Sequence, residues 1–199
     1  MKTAVYVHGR GGTAAEAAHY QALLPEYNVI GFDYRATTPM AAAEEFPAFF
    51  AALYKKTGPV ALIANSIGAY FSLQTLNAGT VERAFLISPL ADMEKLILGM
   101  MAAAGVTEEA LRTLREIPTA SGETLSWEYL SYVRAHPLQW RVPTAILYGE
   151  NDALTDRETI EAFAKRTGAS LTVMPGGEHW FHTEAQMEFL DQWILKIKN

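Results

Sequence analysis

Three residues of different chemistry each follow an apolar run of the chain: Ser66, Asp152 and His179. A serine hydroxyl is a poor nucleophile until a base takes its proton. A histidine can be that base and can later return the proton to a leaving group. A carboxylate can fix the imidazole tautomer and stabilise the imidazolium that forms. Together the three could attack an acyl carbon and form a covalent acyl-enzyme. Each alone has a plainer reading, since a serine after a strand is a common helix N-cap and a loop aspartate or histidine is commonly incidental. Their joint placement is what points to nucleophilic catalysis.

The local segments are specific. Val60-Ala61-Leu62-Ile63-Ala64-Asn65-Ser66-Ile67-Gly68 reads as a buried strand, a tight turn bearing the serine, and a helix that starts at once. Leu147-Tyr148-Gly149-Glu150-Asn151-Asp152 places the acid just past a second apolar run, where Gly149 lets the chain turn. Pro175-Gly176-Gly177 turns the chain after a third run and leads to His179.

The elements that must hold these residues follow from periodicity. Short apolar runs occur at residues 4–7, 29–32, 60–64, 84–87, 145–148 and 171–174, most without the alternation of a one-sided sheet. Near-continuous apolarity fits strands buried on both faces of a parallel sheet. Helical segments lie between them. Thr13-Ala14-Ala15-Glu16 has capping-box spacing, and Thr38-Pro39 sets a cap before a proline at the first helical position. Further helices are predicted over 66–76, 156–166 and 183–196. Strand and helix alternate, so the fold class is α/β with helices on both faces of the sheet. Ser66, Asp152 and His179 then share the carboxyl edge of the strands, where open α/β sheets build ligand sites.

Between Ser88 and Gln139 that rhythm stops, and only helical pattern is expected. Met93, Leu96, Ile97, Met100 and Met101 follow helical spacing, Thr107-Glu108-Glu109-Ala110 reads as a helix start, and residues 126–135 as a third segment. This stretch is expected to be a helical insertion over one end of the sheet.

The segment around Ser66 resembles the nucleophile elbow of the α/β-hydrolase family, with Ala64 where the family has glycine and Gly68 on the helix side. The chain order Ser, Asp, His is also that family's order. Val7-His8-Gly9-Arg10-Gly11-Gly12 resembles its oxyanion loop. The resemblance covers nearly the whole chain. It implies a three-layer α/β-hydrolase fold with a minimal, mostly parallel six-stranded sheet in the order 2-1-3-4-5-6. It implies one domain over 1–199, with a short helical cap at about 90–139. By the same resemblance Ser66 is the nucleophile, His179 the base, and Asp152 the residue that orients it. The oxyanion donors are then the N–H groups of Ile67 and Arg10, with Gly11 as second choice, and His8 braces the loop. Gly11, Ser88 and Trp180 are the candidate substrate-binding residues, although Ser88 reads equally well as a helix or turn cap. The expected activity is that of a carboxylesterase-type serine hydrolase on small acyl esters, with no metal and no cofactor. Thioesterases, peptidases and acyltransferases use the same machinery.

Two other classes stand beside this reading. Gly9-Arg10-Gly11-Gly12-Thr13-Ala14 also matches the dinucleotide-binding fingerprint, and Asp33 lies near the offset expected of a ribose-binding acid, as in an NAD(P)-dependent oxidoreductase. That reading gives no role to Ser66, Asp152 or His179. A non-catalytic binding module on a hydrolase scaffold is the other. His182, three residues after His179, invites a metal site but lacks a paired acid cluster, so a surface helix residue and fallback base is the reading preferred. His19 and His136 have no partner context. Trp180 and Phe181 are expected to pack against the sheet edge. Met93, Met100 and Met101 with Trp127, Tyr129 and Tyr132 could form an acyl pocket or simply the insertion's own core.

Composition bounds the rest. The 199 residues suit one domain with a sizeable core, and half are hydrophobic. The formal net charge of -6 and the lack of any basic run argue against a nucleic-acid partner. There is no cysteine, which removes disulfides and thiolate chemistry. The N-terminus lacks the pattern of a signal peptide and no window approaches a membrane span of ~20 apolar residues, so a cytoplasmic protein acting on a small acyl molecule is expected.

Overall fold

The computed structural model describes residues 1–198. Six strands form a single parallel sheet: β1 (Lys2–Val7), β2 (Tyr27–Gly31), β3 (Val60–Asn65), β4 (Val81–Ile87), β7 (Thr144–Gly149) and β8 (Ser170–Met174). Their spatial order is β2-β1-β3-β4-β7-β8, every pair parallel. The four central strands are almost wholly buried, which is why their sequences run apolar without alternation.

The helices start where capping chemistry places them. Thr38 accepts from the Ala41 N–H at the head of α2 (Pro39–Thr57), with proline at its first position. α3 (Ser66–Thr75) leaves β3 with no connecting residue. Asp156 caps α7 (Arg157–Thr167) and Thr183 caps α8 (Glu184–Ile197). The segment after Thr13 opens as a 3-10 turn over Ala14–Glu16, then becomes α1 (Ala17–Leu23), with the Thr13 N–H donating to the Glu16 carboxylate.

Two apolar layers sandwich the sheet. One gathers Phe32, Phe46, Phe50, Tyr70, Phe71 and Phe163 with the apolar residues of α2, α3 and α7. The other packs Tyr20, Leu190 and Trp193 from α1 and α8 against the opposite face. Each buried side chain of this size contributes about 1.5–3 kcal/mol relative to exposure.

The stretch between β4 and β7 holds α4 (Met93–Ala103), α5 (Glu108–Leu114) and α6 (Trp127–Ala135), capped by Asp92, Thr107 and Ser126. It is not purely helical, however. β5 (Glu116–Pro118) and β6 (Thr124–Ser126) form an antiparallel hairpin that sequence periodicity does not predict. Each strand is three residues long and Leu125 alone is fully buried, so no alternation can register. Met93, Ile97 and Met101 belong to the main core, with Met100, Trp127 and Tyr129 packed against it. The methionine stripe therefore packs into the core of the sheet and does not form a core of the insertion's own. Among the described residues no helix is long and apolar enough to cross a membrane.

Candidate active site

Parallel strands deliver Ser66, Asp152 and His179 to one edge of the sheet, and the loops after β7 and β8 are joined by backbone hydrogen bonds. β3 ends at Asn65, and Ser66 turns the chain into α3 with φ at 51°, a left-handed conformation that costs a non-glycine residue energy. That turn projects the Ser66 hydroxyl above the sheet. Gly68 is required two residues on, because a Cβ there would lie 2.2 Å from the His8 carbonyl oxygen. Ala64, where the family has glycine, is accommodated fully buried within β3.

The acid and base loops are clamped together after β7 and β8. The Asn151 N–H donates to the Gly177 carbonyl (2.7 Å) and the Glu150 N–H to the Met174 carbonyl (3.0 Å). The Gly176 N–H returns a bond to the Glu150 carboxylate at 2.9 Å. Tyr148, on β7, donates its hydroxyl to the Thr155 carbonyl and so holds the far side of the acid loop.

This framework brings Ser66, His179 and Asp152 into one hydrogen-bonded chain. Ser66 Oγ lies 2.7 Å from His179 Nε2, and His179 Nδ1 lies 2.7 Å from Asp152 Oδ2. The Asp152 side chain is 0% exposed, and its other oxygen accepts from the Leu154 and Thr155 N–H groups at 2.8 and 3.0 Å. Three donors around a buried carboxylate offset its desolvation. An acceptor-only carboxylate at Nδ1 requires that nitrogen to carry the proton. The Nε2 lone pair is then free to accept the Ser66 hydroxyl.

The loop after β1 crosses the elbow. A Cβ on Gly9 would lie 3.2 Å from the Ser66 Cβ, so the backbone of residues 8 and 9 runs against the start of α3. His8 stacks on Tyr34 with ring centroids 4.3 Å apart, and the Tyr34 hydroxyl donates to the His8 carbonyl at 2.9 Å. Burial pushes the Tyr34 phenol up to about 12, so it remains a donor across the neutral range. Ile67 is the second residue of α3, where a backbone N–H has no acceptor within the helix, and the Asn65 side chain makes no capping bond. Arg10 is exposed, and its guanidinium pairs with Glu123 in the turn of the β5–β6 hairpin.

The remaining candidates are placed as follows. Gly11 has φ at 75° and nothing within 4 Å of a built Cβ. Ser88, next to Ser66 at the strand ends, is completely buried with φ at 43°, and its hydroxyl has no partner among the described residues. Trp180 does not pack on the sheet edge as expected. It is 68% exposed and stacks flat on His182 at 4.5 Å, while Phe181 takes the buried position. Consecutive residues in an irregular segment face different ways, and only one of the two can reach the core. His182 precedes α8 rather than lying in it, since Thr183 is the cap. Sequence reasoning passed over Tyr34, Tyr148 and Glu150. Asp33 beside Tyr34 stands out as an acid at the end of a strand, and nothing local reveals that Tyr34 reaches the loop after β1.

Comparison with known proteins adds the following. The profile of the family described as "Alpha/beta hydrolase family" matches residues 4–192. A curated Mycoplasma genitalium protein named "Putative esterase/lipase 3" is 34% identical over 82 residues, which is 40% of this chain and 29% of that protein. The match therefore spans less than a third of the relative's length. Among solved structures, Est1E from Butyrivibrio proteoclasticus superimposes with a TM-score of 0.75 at 18% identity, covering 99% of this chain and 86% of that one. The alpha/beta hydrolase domain-containing protein 10 from mouse does so with a TM-score of 0.77 at 16% identity, covering 98% and 89%. At these identities the likeness is one of fold.

Proposed function

The chain belongs to the alpha/beta hydrolase family, and from that premise we propose that it is a serine esterase in which Ser66 is the nucleophile, His179 the general base and Asp152 the residue that orients the base. The observation that carries this reading is the continuous chain Ser66 Oγ, His179 Nε2, His179 Nδ1, Asp152 Oδ2, with both contacts at 2.7 Å.

The two hydrogen bonds support the following course of reaction. As Ser66 Oγ attacks the ester carbonyl carbon, its proton passes to His179 Nε2 and the Asp152 carboxylate stabilises the imidazolium. Negative charge develops on the carbonyl oxygen. The N–H groups of Ile67 and Arg10 are the donors assigned to it, aided by the N-terminal end of α3. Collapse expels the alkoxide, which takes the proton from His179 and leaves an acyl group on Ser66. Water, activated by the same histidine, then frees the acid. Each donor in such a hole is worth about 2.7–4 kcal/mol of barrier.

Esters are assigned in preference to other acyl substrates because Ile67, beside Ser66, packs against the same apolar cluster as Met93, Ile97 and Met101, and because the matched Mycoplasma protein carries an esterase/lipase name. The fold of Est1E has also been solved with ferulic acid bound. A panel of p-nitrophenyl esters of increasing chain length, assayed beside Ser66→Ala, tests the proposal. Hydrolysis should be lost in the variant, and activity unaltered there sinks the mechanism. A fluorophosphonate probe should label the wild type and spare Ser66→Ala.

A further inference from the structure

Two buried polar atoms without partners converge at a second place in the molecule. Tyr70 and Gln74 lie one and two turns along α3 from Ser66. Among the described residues neither the Tyr70 hydroxyl nor Gln74 Oε1 has a hydrogen-bond partner. Tyr70 is 1% exposed, and burial raises its phenol far above the usual range, so the hydroxyl stays a donor. A polar atom left bare in the interior costs ~1–3 kcal/mol, which makes two on one helix an unusual expense for a structural core.

Both residues line a cavity of about 170 Å³ between α3, the start of α4, the end of α6 and α7. A water molecule occupies ~30 Å³ in the liquid, so the space exceeds a single bridging water. The cavity does not include Ser66, Asp152 or His179. Its other polar walls are Asp92, Glu94, Arg134, His136 and Arg166. Arg134 is already held by Glu94 and Glu108. Arg166 lies over the Phe163 ring with no ion-pair partner among the described residues. Asp92 spends one oxygen on the Lys95 N–H and has no cation paired to it among the described residues. One uncommitted cation and one uncommitted anion therefore face the same space as one orphan donor and one orphan acceptor.

We propose that this cavity binds a small amino acid, with its carboxylate received by the Tyr70 hydroxyl and the Arg166 guanidinium and its ammonium by Gln74 Oε1 and the Asp92 carboxylate. A wall that holds both an uncommitted cation and an uncommitted anion selects a zwitterion over a simple acid or a simple amine. The site is separate from the acyl chemistry and does not depend on it.

Thermal denaturation of the intact protein with L-serine, propionate and ethanolamine tests the assignment. With L-serine at ten times its dissociation constant, Tm should rise by roughly 3–6 °C. Propionate and ethanolamine at the same concentration should shift it far less. Tyr70→Phe keeps the ring and removes the hydroxyl, so it should fold at least as stably and lose the L-serine shift. Arg166→Gln, an exposed change, should also lose the shift and guards against a folding defect in the first variant. Ser66→Ala should retain it. The proposal is overturned by no L-serine shift, which would mean a cavity filled by water only, by an equal response to the one-ended compounds, by a shift that persists in both Tyr70→Phe and Arg166→Gln, or by its loss in Ser66→Ala.

Discussion

Gly149 and Glu178 meet backbone to backbone: a Cβ at position 149 would stand 2.4 Å from the Glu178 carbonyl oxygen. Gly149 ends the strand that leads to Asp152, and Glu178 directly precedes His179, so this contact sets the spacing of acid and base. Gly149→Ala should therefore push the two loops apart. Overpacking of this kind costs ~1–3 kcal/mol, and kcat should fall while KM changes little. Equilibrium urea unfolding and steady-state kinetics on one ester read both effects, and a variant with wild-type kcat would refute the spacing argument.

The three residues of the hydrogen-bonded chain should differ in what their loss costs. Ser66→Ala and His179→Ala should each reduce kcat by about 10⁶, and Asp152→Asn by about 10⁴. Because the residues act as a unit, the double variant Ser66→Ala/His179→Ala should be no slower than either single one. Additive losses in single-turnover assays would show that they act independently.

Tyr34 acts at one remove, through the loop after β1. Tyr34→Phe deletes the bond to the His8 carbonyl but keeps the stack on the imidazole. Stability should drop by about 1 kcal/mol. The catalytic effect should appear in kcat rather than KM, because a loosened loop weakens the donor proposed to act only as charge develops. A change confined to KM would place Tyr34 in substrate binding instead.

The Arg10–Glu123 pair joins the same loop to the β5–β6 hairpin, yet its side chains are 74% and 37% exposed. Exposed pairs are worth only ~0–1 kcal/mol and weaken with salt. Glu123→Gln should therefore lower Tm slightly at low ionic strength and leave it unchanged in high salt. A large loss that salt does not diminish would show the pair to be shielded.

Acid stability has a named contributor at the head of α7. The Lys95 ammonium beside Asp156, with the Thr159 N–H it caps, lowers that carboxyl to about 2. A carboxyl depressed in the folded state stabilises the fold above its unfolded value of ~3.9, and that stability is lost as pH falls through the folded value. Asp156→Asn keeps a capping oxygen and removes the charge. It should flatten the decline of Tm between about pH 4 and pH 2. A decline as steep as wild type would assign the acid sensitivity to other groups.

Much of the molecule was legible in the sequence because it is encoded within a turn or two of chain. Buried parallel strands announce themselves as apolar runs, and Thr38, Thr107, Ser126, Asp156 and Thr183 all cap the helices that follow them, since a cap bonds an amide only three residues away. The order of Ser66, Asp152 and His179 after β3, β7 and β8 is equally plain. The tertiary structure decided the rest. Ser66 and His179 are 113 residues apart, and only the packing of separate strands brings their atoms to 2.7 Å. The fit of Gly149 under Glu178, the reach of Tyr34 to His8 and the exposure of Trp180 beside a buried Phe181 depend on which backbones pass each other at van der Waals distance. A three-residue strand such as β5 is stabilised by its partner rather than by its own pattern, so local sequence carries almost no trace of it.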